Sequence, residues 1–251
     1  MYPKVNHVTP VIRVVLALVL LAVTGCGGGE GKTLTVFADT SLTGTFGPLG
    51  RTFEATHPGV AVRFDFGGSD ALARRIAGGA RADLFAAAGE AAMRASRAPN
   101  ARVFARDSLQ IAVPKGNPAH VANLKDLAAP GVTVALCAET APCGTGAGIA
   151  LADAGVTVTP ASRERDAAAA LDKVRLGKAD AALVYRTDVR AAGGAVEGVD
   201  VPEAAKAALD YLVATVPGTE NIALTREFVD LLLSNEGRRV LAGAGFTPVT
   251  G

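Results

Sequence analysis

Two stretches of this chain place a serine where an apolar strand gives way to a helix. The first reads Leu34-Thr35-Val36-Phe37-Ala38-Asp39-Thr40-Ser41-Leu42, and the second Val62-Arg63-Phe64-Asp65-Phe66-Gly67-Gly68-Ser69-Asp70-Ala71-Leu72. A helix start presents backbone N–H groups that lack intrahelical partners, at the positive end of the helix dipole. A hydroxyl beside them adds one more donor. Two such starts facing one point would hold a small oxyanion with no lysine or arginine. A single serine in this position is an ordinary N-cap; the information lies in the repetition. Nucleophilic catalysis is the competing chemistry, and the sequence disfavours it. Beyond residue 25 only His57 and His120 remain, neither beside a serine motif, so no nucleophile–base–acid set assembles and a secreted hydrolase is the weaker reading. The same two histidines do not stand at metal-ligand spacing.

The elements that must position these serines alternate along the chain. Thr33–Ala38 reads as a strand and Leu42–Thr56 as a helix with Phe46, Leu49 and Phe53 on one side. Strand Val60–Phe66 follows Pro58-Gly59, and helix Ala71–Ala77 is stopped by Gly78-Gly79. Asp83–Ala88 and Leu109–Val113 are buried strands, the latter closed by the turn cluster 114–118. A second set comprises a short helix Asn123–Leu127, strand Val132–Leu136, a helix opening at Pro142, helix Asp166–Leu176 and strand Ala179–Tyr185. The last 40 residues read as two helices, Leu224–Leu233 and Glu236–Ala242. Strands alternating with helices of this length predict an α/β protein with mainly parallel sheets.

The amino terminus reads as a targeting segment. Lys4 and Arg13 precede the apolar run Val14–Val23, too short to span a bilayer. The run ends at Val23-Thr24-Gly25-Cys26, followed by Gly27-Gly28-Gly29, which resembles the bacterial lipoprotein cleavage box. Residues 1–25 are thus expected to be removed, Cys26 to carry lipid, and 26–32 to form a tether; an ordinary secretory signal with a chance cysteine is the alternative. Each buried acyl CH₂ contributes about 0.8 kcal/mol, so several chains on one residue anchor a protein durably. Removing that segment takes two basic residues from 25 and none of the 24 acids, leaving a net charge of −1. There is no basic tract, so nucleic acid is not an expected partner. Two cysteines remain, Cys137 and Cys143. Export favours a bridge between them, worth about 2–3 kcal/mol by loop closure, against the alternative of two small buried thiols.

Taken in order, these segments resemble the periplasmic molybdate-binding proteins of bacterial ABC importers, type II solute-binding proteins. The resemblance runs through Leu34–Ala38 with Ser41-Leu42, Phe66-Gly67-Gly68-Ser69 and Ala82-Asp83-Leu84-Phe85-Ala86. It continues through Val113-Pro114-Lys115-Gly116-Asn117-Pro118, Pro142 with Gly144, and Gly177-Lys178-Ala179-Asp180-Ala181. Val184-Tyr185-Arg186-Thr187-Asp188 and Gly245-Phe246-Thr247-Pro248 complete it. It covers essentially residues 33–248, and it is the joint order of the motifs that is specific.

The resemblance implies two α/β lobes with the ligand in the cleft between them, lobe one from 32–108 plus 211–251 and lobe two from 109–210. It implies Ser41, Ser69 and Tyr185 as hydroxyl donors, and Cys143 and Ala167 as backbone N–H donors at helix starts. It further implies molybdate as ligand, with tungstate, sulfate or another small oxyanion as alternatives, and neither a cofactor nor a metal beyond the oxyanion. A monomer is expected, outside the cytoplasm and held to the membrane by its lipid, delivering to an ABC permease and its cytoplasmic ATPase; enzymatic activity is not expected. One departure stands out. Asp39 and Asp70 replace the family's usual small neutral residues, and a carboxylate about 6 Å from a dianion would repel it by about 5 kcal/mol at an effective dielectric near 20. Both are therefore expected to point away from the cleft, each held by a helix-start N–H or an arginine.

Overall fold

The computed structural model describes residues 31–249 together with Met1; the expected signal segment, Cys26 and residues 27–30 of the tether lie outside the described residues. Lys32 already belongs to the first strand. That strand, β1 (Lys32–Asp39), alternates its side chains as a strand must. Leu34, Val36 and Ala38 enter one core, and Phe37 enters another on the opposite face. Both cores belong to a six-stranded sheet in the order β11-β4-β10-β3-β1-β2. Its other strands are β2 (Val60–Gly67), β3 (Leu84–Ala88), β4 (Arg102–Asp107), β10 (Leu209–Thr215) and β11 (Thr247–Pro248).

One face is covered by helix α1 (Thr43–Thr56) and by α7 (Ile222–Leu233) and α8 (Asn235–Gly243) from the chain's end. Phe46 and Phe53 of α1 meet Phe228 of α7 with ring centroids 6.0 and 5.4 Å apart. Edge-on aromatic contacts of this kind add about 0.5–1.5 kcal/mol each beyond area burial. The other face carries α2 (Ser69–Ala77) and α3 (Glu90–Ala95), which bury Leu72, Ile76 and Met93 against Phe37 and Phe85.

The second sheet has the order β7-β6-β8-β5-β9, from β5 (Leu109–Pro114), β6 (Val134–Cys137), β7 (Ser162–Glu164), β8 (Ala181–Tyr185) and β9 (Val196–Asp200). Helices α4 (Pro142–Asp153), α5 (Ala167–Arg175) and α6 (Arg186–Ala191) surround its single core. Two segments pass between the sheets, β4 into β5 through Ser108 and β9 into β10 through residues 201–208.

The sheets are mixed rather than mainly parallel. In the first, β1 pairs β2 and β3 in parallel, whereas β10 pairs both its neighbours antiparallel. In the second, β6 pairs β7 and β8 in parallel, and β5 pairs β8 and β9 antiparallel. The antiparallel members β5 and β10 are the strands that have just crossed. They enter the new sheet from the side of the cleft and so run against the strands that end there. The sequence reading left β10 unassigned; both of its faces are buried, which hides the period-two signal that marks a one-sided strand.

A candidate oxyanion site at the ends of five strands

Each expected ligand residue sits at the carboxyl end of a strand that has a parallel neighbour, where α/β sheets bind ligands. Ser41 lies in the 3-10 turn Thr40–Leu42 that joins β1 to α1, and Ser69 opens α2 just beyond β2. Cys143 follows β6 at the second position of α4, Ala167 follows β7 at the first position of α5, and Tyr185 ends β8. The first two belong to one lobe and the last three to the other. Tyr185 lies opposite Leu109, one residue past the crossover.

In lobe one the donors converge on a single acceptor, the carboxylate of Asp39. Ser41 donates both its backbone N–H (3.1 Å) and its hydroxyl (2.7 Å) to Oδ1. Ser69 donates its N–H (3.2 Å) and its hydroxyl (2.6 Å) to Oδ2. The expectation that Asp39 turns from the cleft is therefore corrected. A helix-start N–H does hold it, as expected, but it lies on the donors themselves. Four donors gathered at two helix starts form a strong anion trap, and Asp39 is the nearest anion. Asp70, by contrast, is exposed in the first turn of α2, and no hydrogen bond or ion pair holds it among the described residues.

The serine protons are directed by their neighbours. Ser69 Oγ accepts the Ala88 N–H at 2.9 Å, leaving its own proton for Asp39. Ser41 Oγ lies 2.8 Å from the Tyr211 hydroxyl. Because the serine proton already goes to Asp39, Tyr211 donates and Ser41 accepts. Tyr211 was not singled out from the sequence, since it lies on the unassigned strand β10. Its register opposite Ala88 brings it to the serines. Burial, the charge of Asp107 and, less strongly, Asp39 raise its pKa well above the ordinary tyrosine value. Tyr185 is raised in the same way, by burial first and then by Asp107, Asp188 and Asp39. Both hydroxyls therefore stay protonated and able to donate.

In lobe two the donors are open. Among the described residues neither the Cys143 nor the Ala167 N–H meets a protein acceptor. Asp166 caps α5 by accepting the Ala169 N–H at 2.8 Å, and the Ala167 and Ala168 N–H groups have no protein acceptor among the described residues. Cys143 is bonded to Cys137, with Cα atoms 5.8 Å apart. The loop between them folds so tightly over the start of α4 that a Cβ on Gly144 would stand 1.9 Å from the Ala138 carbonyl oxygen. Glycine alone fits there. At the crossover, buried Asp107 accepts the Thr187 hydroxyl at 2.6 Å through Oδ2, while its Oδ1 is buried without a partner. Burial pushes Asp107 to about 7, opposed by the Thr187 hydrogen bond and assisted by the charge of Asp188, which burial itself lifts to about 6.

A cavity of about 600 Å³ lies at the opposite, amino ends of β1 and β3, lined by Thr33, Thr35, Asp83, Arg97 and Asn221. It contains none of the convergent donors. Among the described residues no cluster of histidine, cysteine and acidic side chains could hold a metal ion.

Helix starts in both lobes carry the expected donors, and the sequence as a whole agrees with one family. The family described as bacterial extracellular solute-binding protein matches residues 34–247. The chain belongs to that family. This solute-binding protein is 36% identical over 220 residues to the molybdate-binding protein ModA of Mycobacterium tuberculosis (strain H37Rv), covering 86% of this chain and 84% of that one. Among solved structures it resembles the substrate-binding domain of a putative molybdenum ABC transporter from Clostridium difficile, with a TM-score of 0.75 at 21% identity, covering 87% and 99% of the two chains. It also resembles the sulfate-binding protein SubI of M. tuberculosis, with a TM-score of 0.68 at 19% identity and 87% coverage of both. At such identities the structures establish the fold of the solute-binding protein, two lobes with a cleft, and leave the choice of oxyanion to the site.

Proposed function

We propose that this solute-binding protein captures molybdate outside the cytoplasm and delivers it to an ABC permease driven by a cytoplasmic ATPase. The observation that carries the reading is the convergence of four Ser41 and Ser69 donors on one carboxylate. A site that gathers N–H and O–H groups around an acceptor-only group is built for acceptor-only ligands. A tetrahedral dianion at neutral pH is one. The open N–H groups of Cys143 and Ala167 and the Tyr185 hydroxyl supply the matching donors from lobe two. Likeness over most of the chain to a curated molybdate-binding protein supports molybdate over other tetrahedral anions.

Capture then proceeds by charge-assisted hydrogen bonds from fixed donors. Helix dipoles supply positive potential without a flexible cation, and closure about the two crossovers removes water. The disulfide fixes the loop that aims the Cys143 N–H. Cys26 would anchor the mature chain through lipid, keeping it beside its permease. The decisive measurement is thermal unfolding of the purified secreted protein with a panel of oxyanions. A ligand at 100 times its dissociation constant adds about 2.7 kcal/mol of stability. Molybdate and tungstate are expected to raise Tm and sulfate and phosphate to leave it nearly unchanged; no response to the first two would refute the assignment.

A further inference from the structure

We propose that Asp39 is a tethered competitor: its carboxylate fills the lobe-one half of the site in the empty protein, and cargo binds only by displacing it. The inference rests on the oxyanion reading above and concerns how tightly that oxyanion is held. The hydrogen-bond ledger requires it. Ser41 and Ser69 each have one hydroxyl proton, and both protons go to Asp39. Their remaining acceptor capacity is turned toward Tyr211 and the Ala88 N–H. Their two N–H groups also go to Asp39. No donor from either serine is left for a ligand while the carboxylate stays. A tetrahedral dianion is itself acceptor-only, so it cannot bridge to the carboxylate, and the two charges repel.

Displacement is open to Asp39. Its side chain is half-buried and Ser41 beside it is exposed, so the carboxylate can turn toward water. Lobe two has no such occupant, because the N–H groups of Cys143 and Ala167 are free of protein acceptors among the described residues. The ligand therefore meets lobe two ready and lobe one already liganded. A competitor tethered beside the site acts at millimolar or higher effective concentration whatever the solution contains. It multiplies the apparent affinity by the fraction of molecules in which it is off the serines, and so raises the dissociation constant. It also reclaims the serines as cargo departs, which favours release to the permease.

The test uses the purified secreted protein, titrated with sodium molybdate in buffer free of sulfate and phosphate. Asp39→Ala is expected to bind molybdate about a hundredfold more tightly than the native chain, a difference of about 2.7 kcal/mol, and to release it more slowly. Without ligand the same variant is expected to melt at a lower temperature, since four donors lose their acceptor. Asp39→Asn removes the charge with little change of shape and should also gain at least tenfold. Asp70→Asn, which neutralises an exposed carboxylate at the same helix start, should change affinity less than threefold. A gain below tenfold in Asp39→Ala, or any loss, overturns the competitor and leaves molybdate as cargo if both proteins bind it. If neither protein binds molybdate or tungstate, the competitor and the molybdate reading fall together. A crystal structure of the native protein with molybdate gives a check without mutation. The carboxylate is expected off both serines, and finding it still on them with anion in the cleft refutes the proposal.

Discussion

Ser41 and Ser69 can each give away one hydroxyl proton, and their neighbours decide where it goes. Tyr211 and the Ala88 N–H occupy the acceptor side of each oxygen, so both protons point into the cleft. Losing one charge-assisted hydrogen bond costs about 1.5–3 kcal/mol, a ten- to hundredfold loss of affinity. Asp39 changes how that loss appears. In the native chain Ser41→Ala and Ser69→Ala weaken cargo and competitor together, so part of the cost cancels. Calorimetry should find the full ten- to hundredfold loss only in an Asp39→Ala background, and a smaller one in the native protein. Equal losses in both backgrounds would contradict the shared use of these donors. Tyr211→Phe leaves Ser41 in place but frees its proton to point elsewhere. The expected loss is about three- to tenfold in molybdate affinity, from one neutral hydrogen bond.

At the scale of elements, the start of α4 depends on a covalent constraint. The Cys137–Cys143 bridge closes a short loop, and its removal is expected to cost about 2 kcal/mol of stability. Because Cys143 also offers its N–H, reduction should lower both Tm and molybdate affinity; unchanged affinity with lowered Tm would separate the bridge from the site. Much of this arrangement was legible in the sequence. The strand–serine–helix turns, the Pro142 start of α4, the helix opening at Asp166 and the apolar strand ending at Tyr185 carry local signals of one residue type at one spacing. What was not legible depends on partners far along the chain. Strand β10 has two buried faces and no alternation, so Tyr211 could not be placed beside Ser41, 170 residues away. Asp39 was recognised as anomalous, yet charge repulsion from an imagined ligand pointed it outward. In the empty protein there is no ligand to repel it, and four donors attract it.

For the molecule as a whole, the crossover carries a titratable load. An aspartate ordinarily titrates near 3.8, and Asp107 in the folded protein does so at about 7. The unfolded chain releases this proton from about pH 4 upward while the folded one retains it to about pH 7. Stability from this group is therefore complete below pH 4 and is lost as pH rises to 7, at about 1.4 kcal/mol per unit of pKa difference. Asp107→Asn keeps an oxygen for the Thr187 hydroxyl and does not ionise. Denaturant unfolding should find it more stable than the native protein at pH 8, with the advantage fading toward pH 4; a pH-independent difference would refute the raised pKa. The strand order has a further consequence for how the chain matures. Strand β10 lies between β3 and β4, so nothing made from residues 32–107 alone can zip the first sheet shut. The second sheet draws all its strands from the continuous stretch 109–200. A chain threaded through a membrane amino end first thus carries its leading third unfinished until its trailing residues arrive. The half of the cleft that holds Ser41, Ser69 and Asp39 is sealed last.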